Sequence, residues 1–143
     1  MEMNASENKA HIKVENLVDL EEIPTSFTYV NDCLAVEGIT IPEDPPVGCD
    51  CHPACSPDSG NCCGKMSGGP FAYGPDHHLI VPVGTSIYEC KKCCMCVISC
   101  LNRVVRNGST VNLCLFRTLN GCGWGVKALE AIKKASYVCT WVK

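Results

Sequence analysis

Nine cysteines are concentrated in two short segments of this 143-residue chain. The first segment contains five of them and the second contains four besides Cys93, with 26 residues between the segments: Cys49, Cys51, Cys55, Cys62 and Cys63, then Cys90, Cys94, Cys96 and Cys100. Thiolates are soft ligands that favour zinc over calcium or magnesium. Cysteine accounts for 14 of the 143 residues, far above its ordinary share. Sulfur chemistry, as metal ligation or as disulfides, must therefore explain the fold.

The number of cysteines favours a shared metal cluster. An isolated structural zinc takes four ligands, and nine thiolates do not divide into closed four-ligand sites. If three thiolates each bridge two metals, the nine sulfurs fill twelve ligand positions, which is four for each of three zinc ions. Cys-x-Cys and adjacent Cys-Cys spacings suit such a cluster, whereas they strain disulfide rings. The sequence thus predicts a triangular three-zinc cluster that joins both segments and whose removal by chelation unfolds residues 40–100.

The cellular compartment bears on the choice between metal and disulfides. The N-terminal residues lack the basic and apolar regions of a signal peptide, and no stretch approaches the roughly 18 to 20 apolar residues of a membrane span. We therefore expect a protein outside the secretory route and away from membranes, where thiols stay reduced. A secreted, disulfide-rich domain is the least favoured alternative.

Other candidate ligands are expected to be bystanders. Cys93 interrupts the spacing of the second segment, although competition with a ligand stays open. His52 adjoins Cys51, but the nine thiolates already fill twelve positions. His77 and His78 are expected in a solvated turn.

The elements that position these cysteines are expected to be short. Alternating apolar residues predict half-buried strands at Ile12 and Val14 and at Phe27 and Tyr29. Crowded proline, glycine and cysteine predict an irregular loop over residues 41–69. Further expectations are a hairpin-like segment over 70–88 around Pro82-Val83-Gly84, strands over 111–118 and 136–142, and one or two helical turns at Ala128, Leu129 and Ile132.

These elements suggest four successive regions along the chain. Residues 1–10 are expected to be a flexible tail, 11–48 to be strands that precede the cluster, 49–103 to hold the zinc, and 104–143 to begin a further β-fold. Cys114 and Cys139 fall on predicted strands and are expected to be small buried hydrophobic side chains.

Charge is unevenly distributed. Residues 1–88 carry a net charge of −10 and residues 89–143 a net charge of +7. The basic half could steer the protein to a polyanion such as DNA. A solvated basic surface is the favoured alternative, because no aromatic residues interleave with the basic ones. The residues concerned are Lys91, Lys92, Arg103, Arg106, Arg117, Lys127, Lys133 and Lys134.

The cysteine pattern resembles the pre-SET module of the suppressor-of-variegation class of histone lysine methyltransferases. The resemblance rests on the spacing Cys49 to Cys63 and on Tyr88-Glu89-Cys90 followed by Cys100-Leu101-Asn102-Arg103-Val104-Val105. Flanking segments extend it over about residues 11–139: Val14-Glu15-Asn16 and Phe27-x-Tyr29-Val30-Asn31 before the cluster, and Leu115-Phe116-Arg117-Thr118 with Gly121-x-Gly123-Trp124-Gly125-Val126 at the opening of the SET domain.

The resemblance implies a small, metal-dominated, mostly irregular fold with short β-strands and the first strands of a SET domain. It implies a triangular three-zinc cluster in which Cys49, Cys55 and Cys90 are the bridging ligands. It also implies a family activity, methylation of lysine nine of histone H3 with S-adenosylmethionine, and a place in the nucleus at pericentromeric heterochromatin. The implied partners are the histone H3 tail and chromatin.

Two departures from the family pattern limit these implications. The family motif Gly-Arg-Gly-Trp-Gly has Cys122 in place of its arginine, so only backbone contacts to the methyl donor are expected at Cys122, Gly123 and Trp124. The sequence has no Asn-His pair, and the family's catalytic tyrosine and post-SET lid lie beyond Lys143. No catalytic residue is therefore assigned. We expect a truncated, noncatalytic module that scaffolds a SET domain or binds chromatin partners; the alternative is an active methyltransferase.

Overall fold

A computed structural model of the chain describes residues 2–3, 10–23, 35–41, 48–66 and 68–140. Regular structure in these ranges is sparse, as the sequence predicts. The strands are β1 (Glu2–Met3), β2 (Ile12–Glu15), β3 (Leu113–Arg117) and β4 (Trp124–Ala128), and the helical elements are a 3₁₀ turn (Cys63–Lys65) and the short helix α1 (Val104–Asn107). The chain forms two compact units, which we call the sheet unit (Met1–Leu34 with Ser109–Lys133) and the cysteine unit (Ala35–Gly108 with Lys134–Lys143).

In the sheet unit, the strands pair in the order β1-β2-β3-β4. Strand β2 runs parallel to β3, with Ile12 opposite Leu113, and the other two pairings are antiparallel. Leu113, Cys114 and Leu115 of β3 are all buried. Such a continuous apolar run is typical of a strand covered on both faces, and it explains the central position of β3.

The loop that follows β2 is held by polar side chains. The Asn16 side-chain amide donates hydrogen bonds to the Asp19 carboxylate and to the Glu21 carbonyl, both at 2.7 Å. Arg117, the last residue of β3, donates to Asp19 at 2.9 Å and also pairs with Glu21. These contacts fix the loop against the end of the central strand.

The structure confirms some of the predicted sheet elements and corrects others. The strand at Ile12 and Val14 and the one within 111–118 are confirmed as β2 and β3, and Cys114 is fully buried on β3. The helical turns expected around Ala128 are wrong, because Ala128 ends β4 and pairs with Leu113. The backbone N–H of Leu129 then bonds to the Asn112 carbonyl.

Two further predictions concern the N-terminal part of the chain. Glu2–Met3 pair with β2, whereas the sequence predicts a flexible tail over residues 1–10. The prediction is wrong for these two residues because backbone pairing at a sheet edge needs no apolar periodicity. The strand expected at Phe27 and Tyr29 lies outside the described residues.

The cysteine unit is mostly irregular. A small hairpin spans 72–80, in which Tyr73 bridges Leu79 and the N–H of Ile80 bonds to the Ala72 carbonyl at 2.9 Å. The predicted hairpin is therefore misplaced: its turn lies at 75–77, and Pro82 begins a separate exposed turn. No strand forms over 136–140, where Tyr137 instead packs against the cysteine core, and Cys139 is exposed rather than buried.

Candidate metal centre

The core of the cysteine unit consists mainly of sulfur. Eight of its twelve buried residues are cysteines, and only Phe71, Ala72, Tyr73 and Val104 add other apolar side chains. Cys51, the ninth member of the predicted ligand set, is half-buried against this core. A cluster able to bind metal therefore occupies the place of an ordinary hydrophobic core, in agreement with the predicted fold class.

The sulfur atoms fall into three groups in which all members lie within 4.8 Å of one another. The groups are Cys49, Cys55, Cys90 and Cys96; Cys49, Cys63, Cys90 and Cys94; and Cys51, Cys55 and Cys62. Cys49, Cys55 and Cys90 each belong to two groups, and the other five residues belong to one. The structure thus brings together eight of the nine predicted ligands. Cys100 lies outside these groups, but its sulfur accepts the N–H of Cys55 at 3.3 Å.

The spacing between sulfurs fits shared tetrahedral metal ions. The Sγ atoms of Cys49, Cys55 and Cys90 form a triangle with sides of 3.6, 3.8 and 3.3 Å. A tetrahedral zinc with Zn–S bonds of about 2.3 Å places its sulfurs about 3.8 Å apart, whereas a disulfide needs about 2.05 Å. The 13 described cysteines are all free of disulfides. The disulfide-scaffold alternative is therefore wrong for the described cysteines.

Backbone N–H groups point at the sulfurs, as expected for thiolates. The N–H groups of Cys49 and Lys91 donate to the Cys94 sulfur at 3.4 and 3.2 Å. Together with the Cys55 to Cys100 bond, two of these three contacts join the first cysteine segment to the second. The amides therefore stabilise negative charge on sulfur and hold the two loops in register.

The hydrogen bonds of the Asn102 side chain indicate that the Cys90 sulfur acts as an acceptor. Asn102 is fully buried, and its Nδ2 donates to the Tyr88 carbonyl at 2.9 Å and to the Cys90 sulfur at 3.4 Å. Its Oδ1 is buried without a hydrogen-bond partner. If the amide were rotated by 180°, Oδ1 would face the Tyr88 carbonyl and the Cys90 sulfur, which are both acceptors. That contact is less favourable than leaving Oδ1 without a partner. This arrangement fits a Cys90 sulfur that is a metal-bound thiolate.

Burial and mutual proximity perturb the thiols strongly. Burial and the neighbouring Cys94 sulfur raise the pKa of Cys63 to about 12, and burial also raises the pKa of Cys55 and of Cys90. At Cys49 the same burial is outweighed by the backbone N–H groups of Cys63 and Cys51, which lower its pKa to about 6. A bound divalent cation would deprotonate all of them, because a coordinated thiol loses its proton.

Arg103 contacts the cluster in a way that the sequence analysis missed. The sequence predicts a solvated basic residue here, yet Arg103 is buried, and its Nε donates to the Cys96 sulfur at 3.3 Å. Burial would lower the pKa of its guanidinium, but the hydrogen bond to Cys96 raises it. The signal in the sequence was its position three residues after Cys100, directly before the apolar Val104.

Two further residues position the ligand loops. Gly48 lies so close to the second segment that a Cβ there would be 2.7 Å from the backbone nitrogen of Cys94. The Glu89 carboxylate accepts hydrogen bonds from the Tyr73 hydroxyl at 2.6 Å and from the N–H of Val105, at the start of α1, at 2.8 Å. Glu89 thus ties the segment that begins at Cys90 to the hairpin and to the helix.

The remaining predicted site residues lie elsewhere. Cys93 is exposed, and neither it nor His52 belongs to a metal-binding group in the described part of the chain. In the sheet unit, exposed Cys122 and the half-buried Gly123 and Trp124 form the turn into β4. The Gly123 carbonyl accepts two hydrogen bonds from Thr118, and the Trp124 ring lies under the Arg117 guanidinium at 5.9 Å.

The predicted cationic surface is smaller than the sequence suggests. Arg103 lies in the cysteine core, Arg117 pairs with two carboxylates, and Lys127 pairs with Glu15 at 3.4 Å.

His78 pairs with Asp76 at 2.6 Å rather than with a sulfur. The described residues also contain no helix that is long and apolar enough to cross a membrane.

Fold and site together define a cysteine-rich unit able to bind metal and a small sheet unit. The Pre-SET motif family matches residues 4–103. The chain therefore belongs to the pre-SET family, and it is similar to the pre-SET and early SET region of SUV39-type relatives.

Those relatives are histone methyltransferases. The chain is 42% identical over 135 residues to histone-lysine N-methyltransferase SUV39H2 of Bos taurus, which covers 94% of this chain and 32% of the relative. It is 46% identical over 129 residues to SUV39H2 of Xenopus tropicalis, which covers 90% of this chain and 31% of the relative. The chain thus spans about a third of the length of these curated relatives.

Solved structures agree with the sequence relatives. KRYPTONITE in complex with mCHH DNA, H3(1-15) peptide and SAH matches with a TM-score of 0.76 and 32% identity, over 91% of this chain and 28% of that chain. The Neurospora SET domain protein DIM-5, a histone lysine methyltransferase, matches with a TM-score of 0.71 and 30% identity, over 90% of this chain and 53% of that chain.

Proposed function

We propose that the cysteine unit binds three zinc ions and is the structural metal core of a histone H3 lysine-9 methyltransferase. The observation that carries this proposal is the sulfur triangle of Cys49, Cys55 and Cys90, with sides of 3.3 to 3.8 Å. Each of these residues belongs to two of the sulfur groups, as a bridging thiolate must. Thiolate ligands alone favour zinc over harder divalent cations.

The nine cysteines divide among three metal positions. Two bridging and two terminal sulfurs complete a tetrahedron at each position. The first position takes Cys49 and Cys90 with Cys63 and Cys94, the second takes Cys55 and Cys90 with Cys96 and Cys100, and the third takes Cys49 and Cys55 with Cys51 and Cys62. Bound zinc supplies binding free energy, which in this unit replaces the burial of apolar side chains.

We propose that this 143-residue chain does not itself transfer methyl groups. Methyl transfer requires a donor and an amine held in line by groups from both sides of a site. The residues assigned to the methyl donor, Cys122, Gly123 and Trp124, form a single turn and supply only backbone groups by resemblance. The chain's role is then to support a SET domain, with S-adenosylmethionine, the histone H3 tail and pericentromeric chromatin in the nucleus as the ligand, partners and location of the complete enzyme.

Metal content and chelation test the zinc proposal. Native mass spectrometry should find three zinc ions per chain, and a strong chelator should remove them and unfold residues 48–103, because each structural zinc contributes roughly 10–16 kcal/mol. Segment-resolved hydrogen exchange should then show lost protection at the amides of Met95 and Val97, which bond to the Cys49 and Pro53 carbonyls at 3.1 and 2.8 Å. Added zinc should restore protection. A metal content of one or none, or an unchanged circular dichroism spectrum after chelation, contradicts the proposal.

The noncatalytic role has a separate test. Incubation of the chain with labelled S-adenosylmethionine and a histone H3 peptide should give no methylated product. Turnover by the chain alone would overturn this part of the proposal and leave the zinc assignment intact.

A further inference from the structure

Arg103 is a buried cation with unusual partners. Arg103 is only 7% exposed. Its guanidinium donates a hydrogen bond from Nε to the Cys96 sulfur at 3.3 Å. Its Nη2 donates to the carbonyls of Cys94 and Cys96 at 3.1 and 3.2 Å. The two carbonyls accept hydrogen bonds from Nη2, but they do not balance the charge of the guanidinium.

No carboxylate in the described part of the chain forms an ion pair with Arg103. A buried charge without a counter-charge is strongly unfavourable, so an anion must lie close to the guanidinium. The sulfur of Cys96 is the contacting group, and Cys94, whose carbonyl Arg103 also binds, belongs to the same cluster. Among the described groups, the anion that balances Arg103 is therefore the thiolate cluster.

The charge of the filled cluster requires such a cation. On the proposed function, nine thiolates and three divalent zinc ions leave a net charge of about −3 in a site shielded from water. Asn102, adjacent to Arg103, adds a neutral donor to the Cys90 sulfur at 3.4 Å. Asn102 and Arg103 are adjacent in the chain. Asn102 thus contacts the proposed bridging ligand Cys90, and Arg103 contacts the proposed terminal ligand Cys96.

We propose that Arg103 is the built-in counter-cation of the metal cluster and that, with Asn102, it sets how firmly the cluster retains its metal. Arg103 contacts sulfur and not metal, so it is a positioning residue. The inference rests on the proposed zinc function. A purely structural role, in which Arg103 only ties down the carbonyls of Cys94 and Cys96, predicts different results.

Three variants separate charge from packing. Arg103→Gln removes the charge and keeps a hydrogen-bond donor, whereas Arg103→Lys keeps the charge and loses the planar guanidinium. Lys134→Gln removes the same charge from an exposed position of the same unit and is the matched control. Each zinc-loaded chain is mixed with excess chelator, and metal release is followed through the colour of the chelator complex.

Loss of an outer-shell partner typically lowers metal affinity about 10–100-fold. Arg103→Gln should therefore release zinc about 10–100-fold faster than the wild type. Arg103→Lys should lie closer to the wild type than to Arg103→Gln, and Lys134→Gln should match the wild type. Raising the salt concentration should change these ratios little, because buried charges are weakly screened.

A spectroscopic readout reports on the sulfur itself. In the Co²⁺-substituted chain, the sulfur-to-metal charge-transfer band should move to longer wavelength in Arg103→Gln, because the thiolate loses the positive charge that stabilises its lone pairs. A role confined to the backbone carbonyls would leave this band in place.

The outcomes distinguish this inference from the proposed function. If the wild type binds no metal, the proposed function fails before Arg103 is tested. If the wild type binds three zinc ions and Arg103→Gln behaves as Lys134→Gln does, the counter-cation is refuted. If Arg103→Gln cannot be loaded, loading of Arg103→Lys supports the inference, and failure of both variants overturns the argument from charge.

Discussion

The sharpest test of the shared cluster is to compare a bridging with a terminal cysteine. The Cys90 sulfur lies 3.3 Å from that of Cys55 and 3.8 Å from that of Cys49, and it belongs to two of the sulfur groups. The Cys51 sulfur belongs to one group and is the least buried of the nine predicted ligands. Replacement by serine removes the soft ligand at little cost in volume. Cys90→Ser thus weakens two metal positions, and Cys51→Ser weakens one.

We expect the zinc content to fall from three to one in Cys90→Ser and from three to two in Cys51→Ser. The difference of one structural zinc corresponds to roughly 10–16 kcal/mol of binding free energy. That is as large as the whole stability of a typical domain, about 5–15 kcal/mol. Cys90→Ser should therefore destabilise the cysteine unit much more than Cys51→Ser, which retains one more zinc ion.

Native mass spectrometry of zinc-loaded protein gives the metal count, and the same sample under denaturing conditions confirms the chain mass. Cys93→Ser is the matched control, because Cys93 is exposed and lies outside the sulfur groups. It should retain three zinc ions. Equal metal loss in Cys90→Ser and Cys51→Ser would refute the bridging role, since isolated sites lose one metal per cysteine.

Two other perturbations test the supports of the cluster. Gly48→Ala should destabilise the cysteine unit by about 1–3 kcal/mol and loosen zinc, because the new Cβ would meet the Cys94 backbone nitrogen at 2.7 Å. Gly60→Ala, which has open space, is its control in a chelator-challenge melt, and equal melting of both variants would contradict the close approach. Burial and the hydrogen bond to Glu89 raise the pKa of Tyr73, so the stability that Tyr73 contributes is present below its unfolded pKa of about 10 and is lost as pH rises further. The gap between the denaturation midpoints of the wild type and Tyr73→Phe should therefore stay constant below about pH 10 and narrow as the pH rises further, and a gap that stays constant above this pH would show that the hydroxyl does not titrate with unfolding.

The sequence predicted which cysteines come together more readily than it predicted the elements that carry them. Ligation depends on residue type and number, so nine cysteines in two segments were enough to predict a shared cluster. Strand β4 was not predicted, although Trp124, Val126 and Ala128 alternate with Gly125 and Lys127, because glycine is depleted in strands and the apolar spacing that continues beyond Ala128 favours helical turns. Its pairing with β3 is decided by the neighbouring strand rather than by its own residues. The apolar spacing at Ala128, Leu129 and Ile132 was therefore misread as helical.

Arg103 could not be assigned from sequence for a different reason. A basic side chain is ordinarily solvated, and only a neighbouring concentration of negative charge makes its burial favourable. That concentration arises when residues far apart in the chain come together, so it is absent from any local window. The ion pairs of Arg117 and Lys127 could not be predicted for the same reason. Their carboxylate partners lie far away in the chain, on the segment around Glu15 and Asp19.

The two cysteine segments organise each other's ligands. The N–H of Cys49 donates to the sulfur of Cys94, and the N–H of Cys55 donates to the sulfur of Cys100, each across 45 residues of chain. An amide can stabilise a thiolate in this way only while both loops hold their shape, and the loops have few other apolar contacts to hold it. On the proposed function, metal binding and loop order are therefore one process in this unit, because each bound ion would fix the amides that stabilise the ligands of the next.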